Sequence, residues 1–273
     1  MNIFKTTLQA VIKRPFILVL IGGLMLVAAI VNAFIPVMAM VIGIVNMTGG
    51  NIFESMLSLL QMLIDPGIIP TLLIMLALLT VLAAVVAGLL LPGFLPVVED
   101  GISEGPKKRG LFEDGLINGF FRFFLMTVKT VLCTAVLALF LMVAAVPAII
   151  VTRVALTTRP DLMIAALFID FVTVGVLFMC LSFFKVYIYM WYIAASKGGE
   201  KPFATGKAAA DRQFWGIALN LLVFDIVFAA VIYIIYLSNN QIFRYVSGWA
   251  FATAYFTTLV VYLVQTFRDS SQN

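Results

Sequence analysis

Long apolar runs separated by short polar segments dominate the chain. Six of these runs reach the roughly 20 residues that one helix needs to cross the hydrocarbon core of a bilayer. They lie at about residues 15–45, 70–91, 123–151, 162–195, 215–237 and 245–267. The runs do not alternate apolar with polar residues, so the spans are helices rather than the strands of a membrane barrel. The pattern predicts an all-α, polytopic membrane helix bundle with six spans, formed as a single domain over residues 1–273.

Amphipathic segments lie between some of the runs and predict helices at the membrane surface. In residues 2–14 the apolar stripe recurs every four residues, at Phe4, Leu8 and Ile12. Residues 46–69 carry a similar stripe and no Lys or Arg, which favours a helix at the outer interface. Residues 111–122 place Phe112, Leu116 and Phe120 on one face and lead into the third span.

Prolines mark three predicted breaks. Pro36 predicts a kink in the first span or the point where it leaves the bilayer. Pro92 and Pro96 predict the end of the second span, because proline removes a helical hydrogen bond and its ring clashes with the preceding turn. Residues 97–122 then form the longest inner connection, with an exposed turn at Gly105-Pro106.

Composition and charge support the membrane interpretation and set an orientation. The chain is 63% apolar and 11% charged, whereas soluble domains are about a quarter charged. Of its 17 Lys and Arg residues, only Arg153, Arg159 and Arg244 lie in the predicted outer loops. This bias places both termini in the cytoplasm, and a bacterial inner membrane is the expected location. Basic residues confined to short loops report orientation, so no nucleic-acid partner is expected.

Few residues could support catalysis or hold a metal. The chain has no His, and its two cysteines, Cys133 and Cys180, lie inside apolar runs. These features argue against a disulfide framework, a transition-metal site and the commonest general base. The sequence also lacks the phosphate-binding, metalloprotease and serine-hydrolase motifs. We expect no cofactor and no enzymatic activity.

Each odd-numbered span follows a similar entry segment. An aromatic residue is followed about two and a half helical turns later by an arginine, and then by an aromatic at the start of the span. The three sets are Phe4/Arg14/Phe16, Phe112/Arg122/Phe124 and Phe203/Arg212/Trp215. We interpret the aromatics as anchors at headgroup depth and the arginines as contacts with an anionic surface. Inner helix entries favour such residues in general, so the alternative is a shared preference without a repeat.

A true repeat would divide the chain into three helical hairpins, at residues 1–96, 97–196 and 197–273. With its entry residues, this layout resembles uncharacterised bacterial six-span membrane families. One of these is similar to the membrane domain attached to some glycerophosphodiester phosphodiesterases. The hydrolase domain of those enzymes has no counterpart in this chain, so the resemblance implies no catalytic residue.

Charged residues within the spans are the main candidates for a functional site, because each costs a few kcal/mol at the bilayer centre unless it is paired or hydrated. Asp225 lies near the middle of the fifth span, and Lys129 and Lys185 lie in the inner halves of the third and fourth. We expect Asp225 to pair with one of these lysines, either as a packing contact or as part of an ion path. Asp170 is expected to pair with Arg153 or Arg244, or to face water.

Weaker signals concern contacts between helices. Asn32, Asn220 and Gln265 are predicted to form interhelical hydrogen bonds rather than to bind a ligand. Ala84-x-x-x-Gly88 and Gly115-x-x-x-Gly119 would permit close helix approach.

Three functions fit these features. The favoured one is a non-enzymatic scaffold or accessory module that binds lipid or a partner protein in the bilayer. The first alternative is the permease subunit of an exporter driven by a separate ATPase partner, which would dock on residues 111–122. The second is a lipid-acting membrane enzyme in which Asp225 or Asp170 serves as an acid.

Overall fold

The computed structural model describes residues 3–34, 66–103, 105–199 and 201–272, and these residues are almost entirely helical. No strand occurs within them. The α-helices are α1 (Ile3–Lys13), α2 (Phe16–Phe34), α3 (Ile69–Ile102), α4 (Leu111–Thr157), α5 (Met163–Ser196), α6 (Pro202–Arg212), α7 (Phe214–Tyr236) and α8 (Gln241–Gln272). A single 3-10 turn, Pro160–Leu162, precedes α5.

Five helices of the described part are long and apolar enough to cross a membrane, namely α3, α4, α5 with its preceding turn, α7 and α8. The bent pair of α1 and α2, with 98° between its two helices, is a sixth candidate. Their outer faces carry large exposed apolar side chains, as lipid contact requires. The protein is therefore a multi-pass integral membrane protein, and the predicted all-α membrane helix bundle is confirmed.

The chain forms two compact units, and α3, α4 and α5 each contribute to both. The first unit comprises Met1–Phe34, Ala84–Met126 and Ser182–Asn273, and the second comprises Ile35–Ala83 and Thr127–Leu181. The main hydrophobic core lies in the first unit. Among its fully buried side chains are Ile17, Phe123, Met190, Val261 and Phe267. We call the part of the first unit that holds α1, α6 and residues 105–110 the basic end.

The predicted end of the second span is wrong, because α3 continues through Pro92 and Pro96 to Ile102. Pro96 has no N–H, so the Pro92 carbonyl lacks its usual helical donor. The first turns of α4 pack directly against this stretch. A Cβ atom added to Gly115 would lie 2.2 Å from the Pro92 carbonyl oxygen, and one added to Gly119 would lie 2.4 Å from the Pro92 Cβ. Packing against α4 thus supports the helix where local sequence would end it.

The first entry segment forms a short helix of its own, α1, with the apolar stripe that its pattern predicts. Its apolar stripe is open, with Phe4 80% exposed and Leu8 and Ile12 also exposed. On the opposite side Ala10 is fully buried, and a Cβ atom added to Gly101 would lie 3.3 Å from its carbonyl oxygen. The helix is therefore attached to the end of α3, while its stripe stays available for the bilayer interface.

The second entry segment differs from its prediction, because residues 111–122 are not a separate surface helix. They form the first turns of α4, and their aromatic face packs against α3. A Cβ atom added to Gly93 would lie 2.6 Å from the Phe112 carbonyl oxygen, and one added to Gly88 would lie 3.1 Å from the Phe120 ring. Protein, rather than headgroups, covers this face.

The remaining boundaries lie close to their predictions, with α4 extending to Thr157 and α8 beginning at Gln241. The predicted outer helix over 46–69, apart from its last residues, lies outside the described residues. So do Pro36 and the end of the first span. The side chain of Asn32 is likewise outside the description.

Candidate functional site

Lys185 of α5 and Asp225 of α7 form a partly exposed ion pair in the first unit. The Lys185 Nζ donates to both carboxylate oxygens of Asp225, at 2.6 and 2.8 Å. Each residue lies about 16 Å along its helix from the basic end, since a helix rises about 1.5 Å per residue. The predicted pairing of Asp225 with a lysine is confirmed, and Lys185 is its partner.

A tyrosine of α5 lies beside this ion pair. The Lys185 Nζ lies 5.7 Å from the centroid of the Tyr189 ring, within the range of a cation–π contact. The Lys185 and Asp225 side chains are 29% and 40% exposed. The positive and negative charges neutralise each other within the pair.

Asp170 has a different partner from the predicted one. It lies in the second unit, where both of its carboxylate oxygens accept from the Thr152 hydroxyl, at 2.8 and 2.7 Å. Thr152 and Asp170 lie at similar distances from the turn between α4 and α5, so the antiparallel helices bring them level. Arg153, the next residue, projects about 100° away around α4. Lys129 also belongs to the second unit.

The arginine of the first entry segment is buried, which contradicts its prediction as a contact with headgroups. Arg14 is 8% exposed, and its Nε and Nη2 lie 2.6 and 2.5 Å from the Asp100 carboxylate. Its Nη2 also donates to the Lys108 carbonyl. The neighbouring Lys13 ammonium donates to the carbonyls of Asp100 and Ser103, at 2.5 and 2.8 Å. Both cations thus bind the C-terminal end of α3.

The other two entry arginines make corresponding contacts. The Arg122 Nη1 donates to the Ala195 carbonyl at 3.3 Å, and the Arg212 Nη1 donates to the Ser270 carbonyl at 2.7 Å. These carbonyls lie at the C-terminal ends of α5 and α8. Such carbonyls lack helical donors and carry the negative end of the helix dipole, so they attract cations. Each entry arginine therefore binds at the C-terminal end of the second of the two spans that follow it. For Arg14 this end, at Asp100, lies beyond the predicted hairpin boundary at residue 96.

Most entry aromatics pack against protein aromatics. The partners, with ring-centroid distances, are Phe112 for Phe16 at 5.3 Å, Phe120 for Phe124 at 6.1 Å, Trp191 for Phe203 at 5.0 Å and Phe183 for Trp215 at 5.6 Å. Phe4 and Trp215 also remain largely exposed, as an interfacial anchor should be. The Phe16–Phe112 contact joins the first entry segment to the second.

A cleft and a groove lie among the described residues of the first unit. The first, which we call the entry cleft, has a volume of about 270 Å³ and is lined by Arg14, Phe16, Val97, Gly110, Leu111, Phe112 and Glu113. The second is an apolar groove of about 260 Å³ between α2 and α8, lined by Leu26, Ala29, Ile30, Tyr245, Val246 and Trp249. Within the described ranges, no group of three His, Cys, Asp or Glu residues could hold a metal ion.

Side-chain hydrogen bonds join α8 to α7 and to α2. The Asn220 Nδ2 donates to the Tyr262 hydroxyl at 2.9 Å, as predicted for an interhelical contact. Sequence reasoning missed the Trp249 Nε1, which donates to the Gly22 carbonyl at 2.8 Å and joins α8 to α2. Its position in an amphipathic stretch of the last span gives no sign of that partner.

Replacing Asn220 with leucine should lower the free energy of unfolding by about 0.6–1.7 kcal/mol, the range measured for interhelical hydrogen bonds in membranes. Tyr262→Phe should lower it by a similar amount. The double variant should lose little more than either single variant, because both remove the same bond. Unfolding by SDS in mixed micelles measures these values, and fully additive losses would show that the bond contributes nothing.

Comparison of the chain with known protein families, with curated proteins and with solved structures found no match.

Proposed function

We propose that this protein is a non-enzymatic membrane scaffold that binds lipid or a partner protein. One observation carries the proposal: the charged side chains that sequence analysis singled out at span entries and within the spans include several that join helices to one another. Arg14, Arg122 and Arg212 bind helix ends, and Lys185 binds Asp225. Side chains used in this way hold a bundle together and leave little charge for substrate chemistry.

The Lys185–Asp225 pair supports a packing role over a catalytic one. A catalytic acid or base must exchange a proton with a substrate group within hydrogen-bond reach. Both Asp225 oxygens instead accept from the Lys185 ammonium. An ammonium and a carboxylate that neutralise each other make burial within a membrane less costly.

The permease alternative lacks a specific observation in its favour. In this alternative, residues 111–122 would serve as a docking helix for an ATPase. In the structure these residues begin α4, and their Gly115–Gly119 face is packed closely on α3, which leaves the face with Ile117 and Phe121 exposed. We also propose that the basic end faces the cytoplasm of a bacterial inner membrane, since positively charged loops are retained on that side.

Replacing Asp225 with asparagine tests the packing role. The variant leaves the Lys185 ammonium without its counter-charge, so we expect a loss of about 2–3 kcal/mol in stability and a lower amount of protein in the membrane. The double variant Lys185→Gln/Asp225→Asn should recover most of this loss, because it leaves no unpaired charge. Quantitative blotting of membranes and SDS-induced unfolding give the two readouts.

If Asp225→Asn is as abundant and as stable as the wild-type protein, the ion pair has no packing role.

The scaffold proposal as a whole is tested by purifying the tagged chain from its native membrane in a mild detergent. We expect lipid or a non-ATPase membrane protein to co-purify. A stoichiometric ATPase would instead identify the permease of an exporter.

A further inference from the structure

The entry cleft combines charged and apolar walls at the basic end. Its lining comes from the start of α2, the last turns of α3 and the start of α4, where spans enter the bilayer. Its volume of about 270 Å³ lies just below the roughly 300–1,000 Å³ of pockets that hold whole drug-sized ligands. The cleft is therefore of a size for a headgroup rather than for an entire lipid.

We infer that the entry cleft binds the phosphate headgroup of an anionic phospholipid. The inference deepens the lipid-binding part of the proposed function and names the class of lipid.

Arg14 provides a cation in the wall of the cleft. A guanidinium has five N–H donors, and Arg14 uses its Nε and Nη2 on Asp100 and on the Lys108 carbonyl. Among the described residues, its Nη1 makes no hydrogen bond to protein, so its two N–H groups remain for a phosphate oxygen. The bonds to Asp100 fix the guanidinium plane, which makes this donor rigid.

The rim of the cleft adds further positive charge. Lys107, Lys108 and Arg109 are exposed and directly precede Gly110, which lines the cleft. Asp100 is already bound by Arg14 and lies 3.9 Å from the Lys13 ammonium. Glu113 is the one acidic side chain that lines the cleft, and it opposes an anion there. A second carboxylate, that of Asp114, lies close by, with its Oδ2 3.5 Å from a Cβ atom added to Gly110. Lys107, Lys108 and Arg109 outnumber these two carboxylates, so the described charges around the cleft favour an anion by a small margin.

The apolar wall favours a lipid over free phosphate. Phe16 and Phe112 meet edge to face at 5.3 Å, and Val97 and Leu111 lie in the same lining. Glycerol and the first methylene groups of acyl chains would bury apolar surface against these residues, which inorganic phosphate cannot do. The headgroup and the apolar wall together suit a phospholipid of the leaflet that the basic end faces.

Native mass spectrometry of the full chain, released from detergent micelles with added lipid, measures this binding. We expect phosphatidylglycerol to be retained more strongly than phosphatidylethanolamine. Lys107→Gln/Lys108→Gln should weaken phosphatidylglycerol retention about thirtyfold, since the variant removes two basic residues that each contribute about 1 kcal/mol near an anionic surface. The Lys108 carbonyl that accepts from Arg14 is unchanged in this variant. The matched control, Lys201→Gln/Lys207→Gln, removes the same charge from α6 and its flank and should leave retention within about twofold.

Glu113→Gln should change retention in the opposite direction from the lysine double variant. It should strengthen phosphatidylglycerol retention a few-fold, because it removes a negative charge from the lining of the cleft. Equal retention by the two double variants would overturn the proposal. So would weaker retention in Glu113→Gln with a preference for phosphatidylethanolamine, which would indicate recognition of an amine. Displacement of the lipid by millimolar inorganic phosphate would show that the site takes a free anion. None of these results alters the Asp225 test, so the two proposals can fail separately.

Discussion

Replacement of Gly115 with alanine should destabilise the protein by about 3 kcal/mol, the upper part of the range for overpacking. The added Cβ atom would lie 2.2 Å from the Pro92 carbonyl oxygen and 3.0 Å from the Gly93 Cα. Both are backbone atoms, so no side-chain rotation relieves the clash, and α4 must move away from α3. In an isolated helix the same change would stabilise by about 1 kcal/mol, so the expected sign is set by tertiary contact alone.

Gly216 provides the matched control. It lies in α7 of the same unit, and a Cβ atom added there would meet nothing within 4 Å. Gly216→Ala should therefore be neutral or slightly stabilising. SDS-induced unfolding in mixed micelles compares the two variants. Equal stability of Gly115→Ala and the wild type would contradict the close packing of α4 on α3.

Replacement of Arg14 with glutamine should have a second large effect, a loss of about 3–5 kcal/mol, as for other buried ion pairs broken on one side. Asp100 is buried and would keep only the Lys13 ammonium, at 3.9 Å, as a nearby cation. Arg122→Gln and Arg212→Gln remove hydrogen bonds to carbonyls instead and leave no buried charge. Each should cost about 1–2 kcal/mol.

The order of the three arginine variants is the test of the second prediction. The double variant Arg14→Gln/Asp100→Asn should recover part of the Arg14 loss, because it removes the stranded carboxylate. Thermal unfolding in a single detergent ranks all four proteins under the same conditions. If the three single variants lose equally little, the Arg14–Asp100 pair is hydrated and does not close the first predicted hairpin.

These arginines also bear on the predicted repeat. Arg14, Arg122 and Arg212 were identified by their common spacing to aromatic residues, with no knowledge of their partners. In the structure each reaches the C-terminal end of a helix that lies one span further along the chain. A shared preference for arginine at inner helix entries does not require corresponding protein partners. The contacts therefore support three related hairpins, which we propose as the origin of the pattern.

The sequence by itself determined the membrane class, the approximate position of the spans and the pairing of Asp225 with a lysine. Each of these depends on the free energy of moving single residues or short runs from water into lipid. A carboxylate within a span must be paired with a cation or hydrated to lower that cost. The pattern of residues 3–13 likewise predicted a surface helix, because an apolar stripe of helical period is a local property.

Only the tertiary structure decided the course of α3 through its prolines, the burial of Arg14 and the partner of Asp170. Local sequence predicts a break at Pro92, but the glycines of α4 that pack on it are more than twenty residues away. Arg14 and Asp100 are 86 positions apart, and no local pattern joins them. The free energy of such packing and ion-pair contacts arises only when distant segments of the chain meet. It therefore cannot be obtained from the local preferences of either segment alone.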